Sequence, residues 1–286
     1  MRHGSLFTGI GGFDLAASWM GWENVFQVEK DEWCQRVLAK NFPNTKRYGD
    51  IDGFNGEEYR GAIDVLSGGP PCQPASGAGK RKGEKDDRWK WPEAIRVFGE
   101  IRPGIGVFEN PDDLLSLDNG RAFERICRSL EDFGYNIETY GIPASCLGAW
   151  HDRDRIWIIA YSDVHDDAGG LVDGTNRKET RGGESQYKSG RQASFRQRVR
   201  TEFSPGTEII SNPYTQGLQE STRTKLRRTH AEIGSYWKTE PGVVRMVHGF
   251  PGRVDRIKSL GNAIVPQIAF EIFKAIEVVT KETIIP

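Results

Sequence analysis

An α/β fold, with a mainly parallel sheet and helices on both faces, is predicted by three observations. Short apolar runs alternate with helically spaced segments through residues 1–162. The first run leads straight into a cluster of glycines. The third run leads into a Gly- and Pro-rich loop, and strands alternating with helices imply a mainly parallel sheet.

The elements follow in order. GSLFTG (4–9) is an apolar run ending in glycine, and FDLAASWMGW (13–22) has helical spacing. NVFQVE (24–29) is a strand ending in an acid. DEWCQRVLAKNF (31–42) is a helix that stops before Pro43. IDVLSGG (63–69) is a third strand. WPEAIRVFGEI (91–101) is a helix with Pro92 in its first turn, and IGVFEN (105–110) is a fourth strand. GRAFERICRSLEDFGY (120–135) is an amphipathic helix ending at glycine. NIETYGI (136–142) and RIWIIAY (155–161) close the series. Residues 163–240 are polar and rich in Gly, Ser, Thr and Arg, which predicts a second, small module or partial disorder. Order returns at VVRMVHGFP (243–251), and IVPQIAFEIFKAIEVV (264–279) reads as a long helix. The predicted organisation is residues 1–162 as one domain, 163–240 as the small module, and 241–286 as a return segment.

Composition narrows the function classes. The chain has 286 residues, 28% of them charged, and a net charge of −1, so bulk charge points to no partner. Residues 171–231, however, hold twelve Lys/Arg against six Asp/Glu. A basic segment on a near-neutral chain suggests a surface for a polyanion, although a solvated loop has the same signature. The four cysteines, Cys34, Cys72, Cys127 and Cys146, are dispersed, and the five histidines are scattered. Neither disulfides nor a metal site is expected, which fits a reducing cytoplasm. No apolar run approaches a membrane span, and MRHGSLFTGIGG does not read as a secretory signal.

Four stretches could carry chemistry. In FTGIGGFD (7–14), Gly9, Gly11 and Gly12 lie between a strand and a helix, where bare backbone and free amides can approach a ligand. Glu29, at the end of the next strand, suits ribose hydroxyls, and Asp50 in GDI adds a polar group. This pattern alone permits many nucleotide cofactors, nicotinamide types included, or merely a tight turn. In GGPPCQPAS (68–76), Cys72 sits among Pro70, Pro71 and Pro74. A structural cysteine usually lies in an apolar strand or helix, whereas this one lies in a stiff loop, which favours a positioned nucleophile. If the two strands are parallel neighbours, Cys72 lands beside the glycine loop. FENP (108–111) puts Glu109 at a strand end as a candidate acid. In HDRDRIW (151–157), Arg153 and Arg155 alternate, so both point to one side if the segment is extended.

Taken together and in this order, these stretches resemble the DNA (cytosine-5)-methyltransferase family, in its bacterial and phage form. SLFTGIGGFD is similar to its S-adenosylmethionine loop, GGPPCQPAS to its Pro-Cys loop, FENP to its Glu-Asn-Val motif and HDRDR to its Gln-x-Arg-x-Arg motif. SLGNAIVP (259–266) resembles the Gly-Asn-x-x-x-Pro motif that completes the cofactor pocket. Pro111, His151 and Ala75 depart from the family pattern. The resemblance implies a Rossmann-like S-adenosylmethionine-dependent methyltransferase sheet with a small target-recognition domain. It implies cofactor contacts from Phe7, Thr8, Gly9, Gly11, Gly12, Glu29, Asp50, Ile51, Asn262 and Ala263. It implies catalysis by Cys72, which attacks a flipped cytosine, by Glu109 at ring nitrogen 3, and by Arg155 at the carbonyl oxygen with Arg153 in support. DNA contacts are implied for Ser76, Lys80, Arg81 and Lys82 in the loop after the nucleophile, and for Arg223 and Arg227 in the basic module. The implied partner is double-stranded DNA. A cognate restriction nuclease is compatible but not required, and the implied state is a DNA-associated cytoplasmic monomer. A tRNA substrate and a binding-only regulator remain open within the same fold.

Overall fold

The computed structural model describes residues 1–72, 89–149, 151–162, 208–210 and 253–282. Its strands are β1 (Arg2–Leu6), β2 (Glu23–Val28), β3 (Lys46–Tyr48), β4 (Val65–Gly68), β5 (Ile105–Pro111), β6 (Tyr135–Gly141), β7 (Arg155–Ser162) and β8 (Glu208–Ile210). Its helices are α1 (Gly12–Trp19), α2 (Glu32–Asn41), α3 (Trp91–Ile101), α4 (Arg121–Glu131), α5 (Arg253–Asn262) and α6 (Pro266–Glu282). The strands form one sheet in the order β3-β2-β1-β4-β5-β7-β6-β8. Strands β3, β2, β1, β4 and β5 are mutually parallel, while β7 pairs antiparallel with both β5 and β6. This is a doubly wound, Rossmann-like sheet with a reversed strand inserted near one end.

The order reverses at β1. From there the chain winds outward to β2 and β3, then crosses back to β4 on the other side. At such a switch point the loops leaving two adjacent strands diverge and open a crevice at their carboxyl ends. The loops leaving β1 and β4 are the glycine loop and the Pro-Cys loop. Their strands pair directly, from His3↔Val65 to Leu6↔Gly68. Gly68 is needed there, because a Cβ on it would sit 3.1 Å from the Leu6 carbonyl oxygen.

One sheet face is covered by α3 and α4, with Phe98, Phe108, Trp91 and Ile126 fully or almost fully buried. The other is covered by α1 and α6, around Phe13, Trp157, Ile272 and Phe273. Under α1 lies a polar inlay. Asp14 accepts from Ser5 Oγ (3.1 Å) and Gln27 Nε2 (2.9 Å), and the His3 ring bonds Asn24 (2.7 Å) and Ser67 (2.8 Å). Burial pushes the Asp14 carboxyl up and the His3 ring down, so both lean towards neutrality.

The return segment is real in space: α6 packs on α1 although some 250 residues separate them. Phe273 is the anchor, stacking on Trp22 at 4.7 Å and on Phe13 at 6.3 Å. Helix α5, which periodicity did not predict, precedes it and ends at the glycine–asparagine pair. Residues 208–210, within the segment expected to form a separate module, instead pair with β6 as the edge strand β8. The remainder of 163–240 lies outside the described residues.

Phe273→Ala is expected to cost about 3–5 kcal/mol, because it removes a fully buried ring. Urea unfolding checks this; a loss below about 1 kcal/mol would mean α6 does not depend on that anchor.

Candidate active site and cofactor cleft

The cavity at the switch point has a volume of about 840 Å³. It unites both ends of the predicted chemistry. Phe7, Gly9, Glu29, Asp50, Ile51 and Asn262 line it, and so do Cys72, Glu109, Arg153 and Arg155.

At the β1 end, the loop turns through left-handed backbone at Phe7 (φ 50°), Gly9 (φ 58°) and Gly11 (φ 89°). No atom lies within 4 Å of where a Gly9 Cβ would stand, so the cavity reaches the bare main chain there. Gly12 starts α1, and its missing Cβ leaves room for Ile264 of the return segment. The Glu29 carboxylate accepts from the Gly9 amide (2.6 Å) and the Asp31 amide (2.7 Å), locking β2 to the glycine loop. Burial outweighs these bonds and moves its carboxyl upward. Asp50 pairs with Lys30 at 2.5 Å, which holds its carboxyl below the usual range. Thr8 is buried and bonds Ser5 and the Val28 carbonyl, so it shapes the loop without lining the cavity.

At the β4 end, Pro70 and Pro71 lead to Cys72, which is 7% exposed. The loop is pinned from the next strand. Asn110 Nδ2 donates to the Pro70 carbonyl at 3.1 Å and also to the Glu109 carbonyl, and the Trp91 indole donates to Asn110 Oδ1 at 3.4 Å. The asparagine of FENP thus orients the cysteine loop. Burial, with the nearby Asp113 carboxylate, pushes the Cys72 thiol up to about 12. The free protein therefore carries a protonated thiol, not a standing thiolate.

Glu109 is buried and forms an ion pair with Arg155, Oε1 to Nε at 2.8 Å. Burial raises its carboxyl, and the pull of Arg155 and Arg153 in the other direction is smaller. The expectation that both arginines project from an extended segment is corrected. Arg155 opens β7, but Arg153 lies in left-handed backbone at φ 43°. The two side chains accordingly part. Arg155 turns to Glu109. Arg153 reaches the return segment, where Nη1 and Nη2 each stand 3.1 Å from the Gly261 carbonyl and Nη2 is 2.5 Å from that of Ala263. Ala263 therefore contributes its main chain to an arginine contact.

Of the departures from the motif pattern, Pro111 ends β5 opposite Arg155, a position with little need for an amide, and His151 is exposed. Ala75 lies outside the described residues, as do Ser76, Lys80, Arg81, Lys82, Arg223 and Arg227. Sequence reasoning missed the bracing of α5 against α2. Lys258 pairs with Asp31 at 2.9 Å and Cys34 Sγ meets Ser259 Oγ at 3.5 Å. No local pattern announces contacts between residues 225 or more positions apart. Among the described residues, no group of His, Cys, Asp or Glu could hold a metal ion, and no helix is long and apolar enough to cross a membrane.

A thiol on a stiff loop and a buried carboxyl at the next strand end thus face one cleft in a Rossmann-like sheet. The chain belongs to the C-5 cytosine-specific DNA methylase family, whose model matches residues 1–240. It is 38% identical over 165 residues to the type II methyltransferase M.PspPI of Psychrobacter sp. (strain TA137), covering 56% of this chain and 40% of that protein. It is 33% identical over 162 residues to the type II methyltransferase M.HhaI of Haemophilus parahaemolyticus, covering 56% and 49%. The chain thus spans half or less of the length of these relatives. Among solved structures, an E. coli prophage-encoded DNA modification methyltransferase aligns with a TM-score of 0.49 and 26% identity, over 57% of this chain and 47% of the other.

Two outcomes follow from these geometries. Iodoacetamide should alkylate Cys72 at pH 8 at least about a hundredfold more slowly than free cysteine, with the rate still rising above pH 9. Peptide mapping by mass spectrometry reads this, and a plateau near pH 8 would contradict the raised thiol. Glu109 has its folded pKa above its unfolded one, so ionising it lowers stability once the pH exceeds the unfolded value. Glu109→Gln should then equal or exceed wild type in urea stability at pH 8, with the difference shrinking towards pH 4. A less stable variant at pH 8 would show that the Arg155 pair outweighs burial.

Proposed function

We propose that this chain transfers a methyl group from S-adenosylmethionine to carbon 5 of cytosine in double-stranded DNA. The observation that carries this reading is that one cavity holds the Cys72 thiol, the Glu109–Arg155 pair and the Gly9–Glu29 loop. Its volume falls within the usual range for a small-molecule site. The cofactor fits what lines it. Bare backbone at Gly9 admits close approach, the Glu29 carboxylate suits ribose hydroxyls, and Phe7 and Ile51 offer apolar surface to a nucleobase whose amine Asp50 can accept. When bound, the cofactor supplies an electrophilic methyl group.

The chain's own residues do the rest. Carbon 5 of cytosine becomes enamine-like only after a nucleophile adds at carbon 6, and Cys72 is the nucleophile in reach. Its raised pKa keeps the thiol neutral until a base occupies the cavity, so the sulfur–carbon 6 bond forms as the thiol proton passes to a solvent water. Electron density then moves to ring nitrogen 3, where Glu109, biased by burial towards its protonated form, holds a proton. Arg155, braced by Glu109, faces the ring's carbonyl oxygen. A solvent water takes the carbon 5 proton, the carbon 6–sulfur bond breaks with Cys72 leaving as thiolate, and ring nitrogen 3 returns its proton to Glu109. The target must leave the base stack to enter so enclosed a site. Residues 163–240 are proposed as the target-recognition part, with Arg223 and Arg227 on phosphates, and the loop bearing Ser76, Lys80, Arg81 and Lys82 as a further DNA contact. The protein is proposed to act as a monomer on DNA in a reducing cytoplasm, in keeping with four buried free thiols. A partner nuclease is allowed and not needed.

Base-resolution sequencing of cytosine methylation tests this, after incubation of unmethylated mixed-sequence DNA with the protein and S-adenosylmethionine. The expected result is marks at one short motif, none with Cys72→Ala, and a loss of about 10²–10⁴ in rate with Glu109→Gln. Methylation by Cys72→Ala at the wild-type rate would overturn the mechanism.

A further inference from the structure

We propose that Arg153 is a positioning residue for the cofactor wall and does not contact the target base, although it is two residues from Arg155. The inference rests on the methyltransferase reading above, and assigns within it what the two arginines divide between them.

Three features support the division. The first is where the guanidinium goes. Both terminal nitrogens are spent on main-chain carbonyls of Gly261 and Ala263, the residues that flank Asn262. Asn262 and Gly261 line the cavity on its cofactor side, together with Ser259 and Lys258. The second is backbone conformation. A non-glycine residue at φ 43° is strained and persists only where surrounding contacts hold it. Here the left-handed turn at 153 breaks the alternation that would have aimed both arginines at one target. The third is electrostatic: Arg153 is half-buried beside a second arginine, and both effects disfavour its charge. The Glu109 carboxylate, which favours the charge, acts against both.

The consequence is a mechanical link. Residues 154 and 155 run directly into the Glu109 pair, and residue 153 grips the segment that closes the cofactor end. Ordering of Gly261–Ala263 by a bound cofactor and ordering of Arg155 for the base therefore share one clamp. A lysine has a single ammonium and cannot span two carbonyls in the fixed fork that a guanidinium provides.

The test is calorimetric titration of DNA-free protein with S-adenosylhomocysteine, paired with methylation kinetics at the motif found by sequencing. Arg153→Met is expected to weaken cofactor affinity about tenfold or more, since charge-assisted bonds are lost. It should raise KM for the methyl donor by a similar factor, with a smaller fall in kcat. Arg155→Met is expected to show the opposite split, a large fall in kcat with cofactor affinity changed less than about twofold. Arg153→Lys keeps the charge, guards against misfolding, and should recover only part of the affinity. Wild-type-like cofactor binding by Arg153→Met, or full recovery by Arg153→Lys, would overturn the proposal. Failure of wild-type protein to bind S-adenosylhomocysteine would instead overturn the cofactor reading, and the proposal with it.

Discussion

The site depends on one constraint: a buried carboxyl held 2.8 Å from a partly exposed guanidinium. Removing Glu109 from solvent favours its protonated form, and Arg155 favours the ionised one. Burial prevails over the pull of Arg155, so the carboxyl leans towards its protonated form. The pairing is set by the sheet. Strand β7 runs against β5, so its first residue lies opposite the last residue of β5, Arg155 against Pro111. Had β7 been parallel, its amino end would sit at the far edge of the sheet. The reversed strand is therefore what brings arginines to the carboxyl edge, where the cysteine loop already stands.

The same edge explains why the two loops work as a unit. Asn110 follows Glu109 and holds the Pro70 carbonyl, so the acid and the thiol are fixed by consecutive residues of one strand. Trp91, buried at the start of α3, supports that asparagine from behind. Rigid prolines alone would stiffen the cysteine loop without aiming it. The hydrogen bond from β5 supplies the aim, while burial and the Asp113 carboxylate keep the sulfur protonated. That leaves the thiol dormant in the empty cleft, which guards a nucleophile from stray electrophiles.

Much of this was legible in the sequence, and the limits have physical causes. Hydrophobic patterning located α3 to the residue and most of the other early elements to within two or three, because each buries a continuous apolar face. The cysteine, the acid and the glycine loop stood out because each breaks a local rule: prolines around a thiol, an acid ending a buried strand, glycines at a turn. Two things escaped. Helix α5 has polar sequence and exposed Val254 and Leu260, so no periodic stripe marks it. The direction of Arg153 depends on a single positive φ, which no side-chain pattern records. Parity of position implied that 153 and 155 share a face, and one left-handed residue undoes parity. The family model matches residues 1–240, so the placement of the Gly261–Ala263 loop rests on tertiary contacts.

Those contacts also order events in time. The clamp from Arg153 to Gly261 closes a span of 108 residues, and Phe273 docks on an aromatic pair near the beginning of the chain. A growing polypeptide can lay down β1 to β7 early, but the wall of the cleft is made last, after α5 and α6 have left the ribosome. A nascent molecule would thus hold its thiol and acid in place well before it could retain a methyl donor.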